Sequence, residues 1–117
     1  MNFLLALAML TPAAAVAGDA EIVDVALSRA ADGWRADVTL RHADSGWDHY
    51  ADAWELRGPD GVVYGRRVLL HPHVEEQPFT RSLSGMMIPE GVREVTVHAH
   101  DTVHGWAAQP MTVTLPE

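Results

Sequence analysis

The 117-residue chain contains no cysteine and no lysine. Without cysteine there is neither a disulfide framework nor a thiolate metal site, so the fold must stand on packing alone. With eight arginines against sixteen acidic residues, the formal net charge is −8. No basic stripe exists to follow a phosphate backbone or an anionic bilayer, which argues against nucleic acid or an anionic membrane surface as a partner. Such an acidic balance suits a cationic partner, a metal ion, or solubility alone. Several catalytic motifs are also missing: there is no G-x-S-x-G, no P-loop, no HExxH and no cysteine nucleophile. The expectation is a protein that is not an enzyme.

A long apolar run occurs once, at the start. Residues 3–17 carry no charge and end in Ala15-Val16-Ala17, the small-x-small form of a signal-peptidase site. The run is short of the roughly 20 residues that a membrane span needs, and Thr11 and Pro12 interrupt it. No Arg precedes it, so the terminal amine alone supplies positive charge. The expectation is a cleaved signal peptide over 1–17 and one domain over 18–117, periplasmic or secreted, with no membrane span in the mature chain. The alternative is a retained N-terminal helix.

A sustained 3.6-residue period is absent from 18–117, whereas period 2 is strong. Trp34, Ala36, Val38 and Leu40 alternate with Arg35, Asp37, Thr39 and Arg41, the signature of a half-buried strand. Val95, Val97 and Ala99 alternate in the same way, as do Met111, Val113 and Leu115. Turn signals at 31–33, 58–61 and 89–91 separate the runs. Seven strands are expected, at 21–29, 34–42, 50–57, 62–70, 79–88, 92–101 and 109–115. The fold class is all-β, a seven-stranded antiparallel immunoglobulin-like β-sandwich. Trp34 and Trp54 belong to its core by their alternation.

The stretch IPEGVREVTVHAHD resembles the corner into strand F of fibronectin type III domains. Pro89, Gly91, Val95, Val97 and Ala99 carry the resemblance; Arg93 stands where those domains place a tyrosine. The likeness implies a fold and no activity.

Seven histidines are the compositional outlier. Antiparallel strands alternate direction, so the second, fourth and sixth connections share one end of such a sandwich. His42 and His49 flank the first of these, HADSGWDH. His71 and His73 open the next, HPHVEEQP. His100 and His104 bracket the entry to the last, with His98 just below. Asp101, Glu75, Glu76, Trp47 and Trp106 map to the same rim. Imidazole and carboxylate suit copper or zinc, and loops on a rigid scaffold are a usual place for binding. Two readings follow. One is an exported binding module that takes a divalent transition metal through some of these histidines. The other is a metal-free interaction or accessory module that meets an envelope protein through the rim tryptophans. In the second reading Glu75 and Glu76 pair with arginines and order the loop. A metal-dependent hydrolase, with bound water as nucleophile, is a third and remoter possibility.

Overall fold

A computed structural model describes residues 18–117; the expected leader at 1–17 lies outside the described residues. Eight strands form: β1 (Glu21–Ala30), β2 (Gly33–Arg41), β3 (Ala51–Arg57), β4 (Val63–Val68), β5 (Phe79–Met86), β6 (Glu94–Asp101), β7 (Gly105–Trp106) and β8 (Met111–Thr114). They make two antiparallel sheets. One has the order β1-β2-β5. The other runs β4-β3-β6, with β7 and β8 both pairing to β6. Among the described residues there is no helix, so none is long and apolar enough to cross a membrane.

The alternation read from the sequence is the alternation that buries. On β2, Trp34, Ala36, Val38 and Leu40 point into the core; on β6, Val95, Val97 and Ala99 do so; on β3, Trp54 and Leu56 are fully covered. Phe79 and Met86 from β5 and Leu69 from the β4–β5 connection close the same cluster. This all-β, two-sheet, sandwich-like arrangement is compatible with the immunoglobulin-like expectation. The added element is β7, a two-residue strand that turns back on His100 and Asp101. It is too short to register as a period.

Around strand β4, Val62, Val63, Val68 and Leu70 are exposed and Leu69 is buried. The strand lies at a sheet edge, and a register shift at Leu56/Arg57 offsets its pairing. Its inward positions are Gly65, paired with Leu56, and Arg67, paired with Trp54. A Cβ on Gly65 would sit 2.6 Å from both Leu83 Cδ2 and Met86 Sδ, so glycine lets this edge close on β5.

The connections sort to two ends. Those at 42–50, 69–78 and 102–104 meet at one end, where His73 N donates to Asp44 Oδ2 (2.7 Å) and Thr102 N donates to Tyr50 O (3.0 Å). Leu56→Ala would leave a cavity between the sheets. It is expected to lower stability by about 2–5 kcal/mol, read as an earlier midpoint in chemical denaturation.

Candidate metal centre

The site begins with Asp101. Along β6 the inward row is Val95, Val97, Ala99, Asp101, so a carboxylate takes the last core position of the strand. Its side chain is fully buried. Asp101 Oδ1 accepts from Val103 N (2.9 Å) and His104 N (2.7 Å), which caps the turn into β7. That turn carries the His104 ring back over the carboxylate, Nδ1 to Oδ1 3.2 Å. Gly105, at φ +75°, closes the hairpin in a conformation that side chains rarely adopt.

His49 arrives from the β2–β3 connection. A tight turn there, with Ser45 N donating to His49 O (3.0 Å) and His49 N to Gly46 O (3.2 Å), puts Trp47 at the tip and His49 at the base. His49 Nε2 lies 3.1 Å from the same Asp101 Oδ1. Its ring packs between those of His42 and His104, with centroids 4.7 and 4.9 Å away. Two groups of three follow, each offering ligand atoms within 4.8 Å of one another: His42, His49 and Asp101, and Asp19, Asp101 and His104.

The hydrogen bonds on Asp101 are lopsided. Oδ1 accepts from two backbone N–H groups and is met by two imidazole nitrogens, while Oδ2 is buried and has no partner among the described residues. A buried, unsatisfied carboxylate oxygen is costly. Burial pushes this carboxyl up, but the backbone N–H groups of His104 and Val103 and the charges of His104 and His42 outweigh it and hold it below the usual value. The lowered pKa favours the anionic form, with Oδ2 unpartnered among the described residues. Ligands held at about 2.0–2.1 Å around a tetrahedral ion lie roughly 3.3 Å apart. The 3.1 and 3.2 Å separations from Asp101 to the two imidazoles are of that size.

His42 is differently engaged. Nδ1 lies 2.5 Å from Asp44 Oδ1, and Nε2 lies 2.8 Å from the Gly18 carbonyl oxygen. Both ring nitrogens thus lie against protein oxygens. Asp44, also buried, accepts Ala51 N (3.0 Å) and His73 N as well.

The other histidines do not converge on Asp101. His73 stacks on Phe79 with centroids 3.9 Å apart, and its Nε2 accepts from Arg81 Nη2 (2.9 Å). Burial and the Arg81 charge hold its pKa below the ordinary value. His71 is exposed and packs on His73 at 4.6 Å. His98 lies on the outer face of the β6 sheet between Thr96 and Arg57, and its pKa is lowered by burial and then by Arg57. His100 Nδ1 lies 2.5 Å from Asp52 Oδ1, beneath Trp106.

The rim residues divide too. Trp47 is 68% exposed beside Tyr50, whereas Trp106 folds across the outer sheet face onto Arg57, 4.6 Å from its ring centre. Under that indole Glu55 pairs with Arg57 and Arg66. Glu76 reaches Arg81 at 3.7 Å, and Glu75 is exposed. Gly18 and Asp19 were not singled out from the sequence as site residues. Asp19 and Gly18 reach the cluster only because the N-terminal arm folds beside it, and local sequence carries no trace of that.

No family model matches the chain, and no solved structure matches it. The chain is 46% identical over 98 residues to a protein of Halomicrobium mukohataei described as "Putative lipoprotein". The alignment covers 81% of this chain and 47% of that protein, so the chain spans about half the length of its relative.

A pH effect on folding follows from His73 and His98. Both are harder to protonate folded than unfolded, so below pH 6.5 the unfolded chain binds more protons and gains stability over the fold. Stability is expected to fall as pH drops from 6.5 toward the two depressed folded values. A His73→Gln/His98→Gln variant should show a shallower fall when urea denaturation is compared between pH 7.5 and pH 5.

Proposed function

We propose that this chain is an exported, envelope-associated binding domain whose loop end holds one divalent transition-metal ion, copper(II) or zinc(II). The candidate ligands form two groups that share Asp101: His42 and His49 with Asp101, and Asp19 and His104 with Asp101. The observation that carries this reading is the buried Asp101 Oδ2 without a partner, beside two imidazoles whose nitrogens crowd the other oxygen. Mixed imidazole and carboxylate donors suit both metals, and the spacing fits a small ion. The leader at 1–17 and the description of the relative support export to the envelope.

Calorimetric titration with Zn²⁺ and Cu²⁺ at pH 7.5 tests it. One-to-one binding tighter than about 1 μM, roughly 8 kcal/mol, is expected. A His49→Ala/His104→Ala variant should lose at least about tenfold in affinity, or ~1.4 kcal/mol. His98→Ala, on the sheet face, should leave it unchanged. Affinity should also weaken toward pH 5.5, because an imidazole must be neutral to ligate. Absence of saturable binding, or equal binding by all variants, sinks the proposal.

A second reading rests on Trp47. Its indole is exposed at a turn tip, on the same end as the exposed Val74 and Val103. Such an aromatic anchor suits a protein partner in the envelope. On this reading Trp47→Ala removes affinity for the partner, while the His49→Ala/His104→Ala variant keeps it.

A further inference from the structure

The metal cluster has one neighbour that no side-chain argument accounts for, the backbone of Gly18. Its carbonyl oxygen lies 2.8 Å from His42 Nε2. The His104 ring lies so close that a Cβ on Gly18 would sit 2.5 Å from Cε1. The residue also has φ +92°, so both space and conformation call for glycine there. The next two residues fix it in place. Asp19 Oδ2 accepts Ala108 N (2.9 Å), and Ala20 is inserted into the core at 1% exposure. The arm is thus clamped with Gly18 wedged between two imidazoles of the cluster, and Asp19 in one of the two ligand groups.

Gly18 is also the residue that follows Ala15-Val16-Ala17, the expected cleavage site. We infer that cleavage there completes the metal site, because it converts the Gly18 nitrogen from an amide into a primary amine that ligates the ion. The step is hydrolysis by an endopeptidase of the export machinery. The Ala17–Gly18 C–N bond breaks, the water oxygen goes to the new Ala17 carboxylate, and Gly18 leaves with the amine. An amide nitrogen has its lone pair delocalised into the carbonyl and is a poor donor. A free amine that has given up its proton to solvent donates its lone pair to an ion. The close approach of Gly18 to the His104 ring puts that amine beside the cluster. The uncleaved chain lacks this donor and binds more weakly, so the ion is taken up after export and not before it.

This inference rests on the metal reading above, and the chemistry of the chain allows the two to be separated. The sequence has no lysine, so after cleavage the α-amine is the sole primary amine, and amine-selective acetylation modifies it alone. Three forms are compared by Cu²⁺ titration and electron paramagnetic resonance: the protein recovered after export, the same protein acetylated, and the uncleaved chain 1–117. Mass spectrometry of the first is expected to show a chain beginning at Gly18. Acetylated and uncleaved forms are expected to bind Cu²⁺ at least about tenfold more weakly, with one fewer nitrogen in the hyperfine pattern. Circular dichroism should show the same strand content in the first two, which excludes loss of the fold as the cause.

A processed chain beginning at another residue overturns the inference. So does equal Cu²⁺ affinity in all three forms, provided the His49→Ala/His104→Ala variant still loses binding; the metal reading then survives without the amine. If no form binds Cu²⁺ or Zn²⁺, both readings fall together.

Discussion

The loop end of this protein depends on one buried carboxylate, that of Asp44. Its two oxygens bind the His42 ring, the Ala51 amide and the His73 amide, which tie three separate stretches of chain together. A charge without solvent contact is tolerated in a protein only when it is fully paired and hydrogen-bonded. Asp44 meets that condition, and through it the 42–50 loop cannot move without the 69–78 loop. Gln77 adds a second tie, accepting His42 N (2.9 Å) and donating to His73 O (2.9 Å). His49 is therefore carried by a loop that is hydrogen-bonded to its neighbours at several points.

Much of the scaffold was legible because the signal was period 2. The rows Trp34–Leu40 and Val95–Ala99 could hardly be placed other than as half-buried strands, and they form the core. Strand β4 was less legible. Its alternation is imperfect, because an edge strand with a register shift needs little inward bulk, and its inner positions are Gly65 and Arg67. Strand β7 was invisible, because two residues carry no period. The common end of the histidines could be read from strand direction alone. Their convergence could not, because that depends on which side chains the turns aim inward. Asp101 is the instructive case. It occupies the next inward position after Val97 and Ala99, so the alternation itself placed a carboxylate in the core row.

The same logic separates histidines that look alike in sequence. His71-Pro72-His73 is the most conspicuous motif, yet His73 is spent on Phe79 and Arg81. Its Nδ1 has no partner among the described residues and lies 4.0 Å from Asp44. His98 and His100 sit two apart on one strand and share a face, but Thr96 and Arg57 engage one, and Asp52 and Trp106 the other. Those contacts tie the outer face together and hold Trp106 over the Glu55 ion pairs. His49 and His104, the least conspicuous by spacing, are the two that meet.

Comparison of the two buried aspartates carries the functional argument further than the histidine count does. The side chains of Asp44, in the β2–β3 connection, and Asp101, at the end of β6, are both fully covered and both contacted by imidazole. Asp44 has donors on both oxygens, so it is structural in the full sense: removing it would unpin loops, and adding a cation to it would gain little. Asp101 Oδ1 accepts from two backbone N–H groups and is met by two imidazole nitrogens, whereas Oδ2 has no partner among the described residues. Asp101 also has a structural task, since its Oδ1 caps the turn into β7, which alanine or valine would not do. Burial without full satisfaction costs stability. Asp101 is the residue shared by the two groups of imidazole and carboxylate that could hold a metal ion.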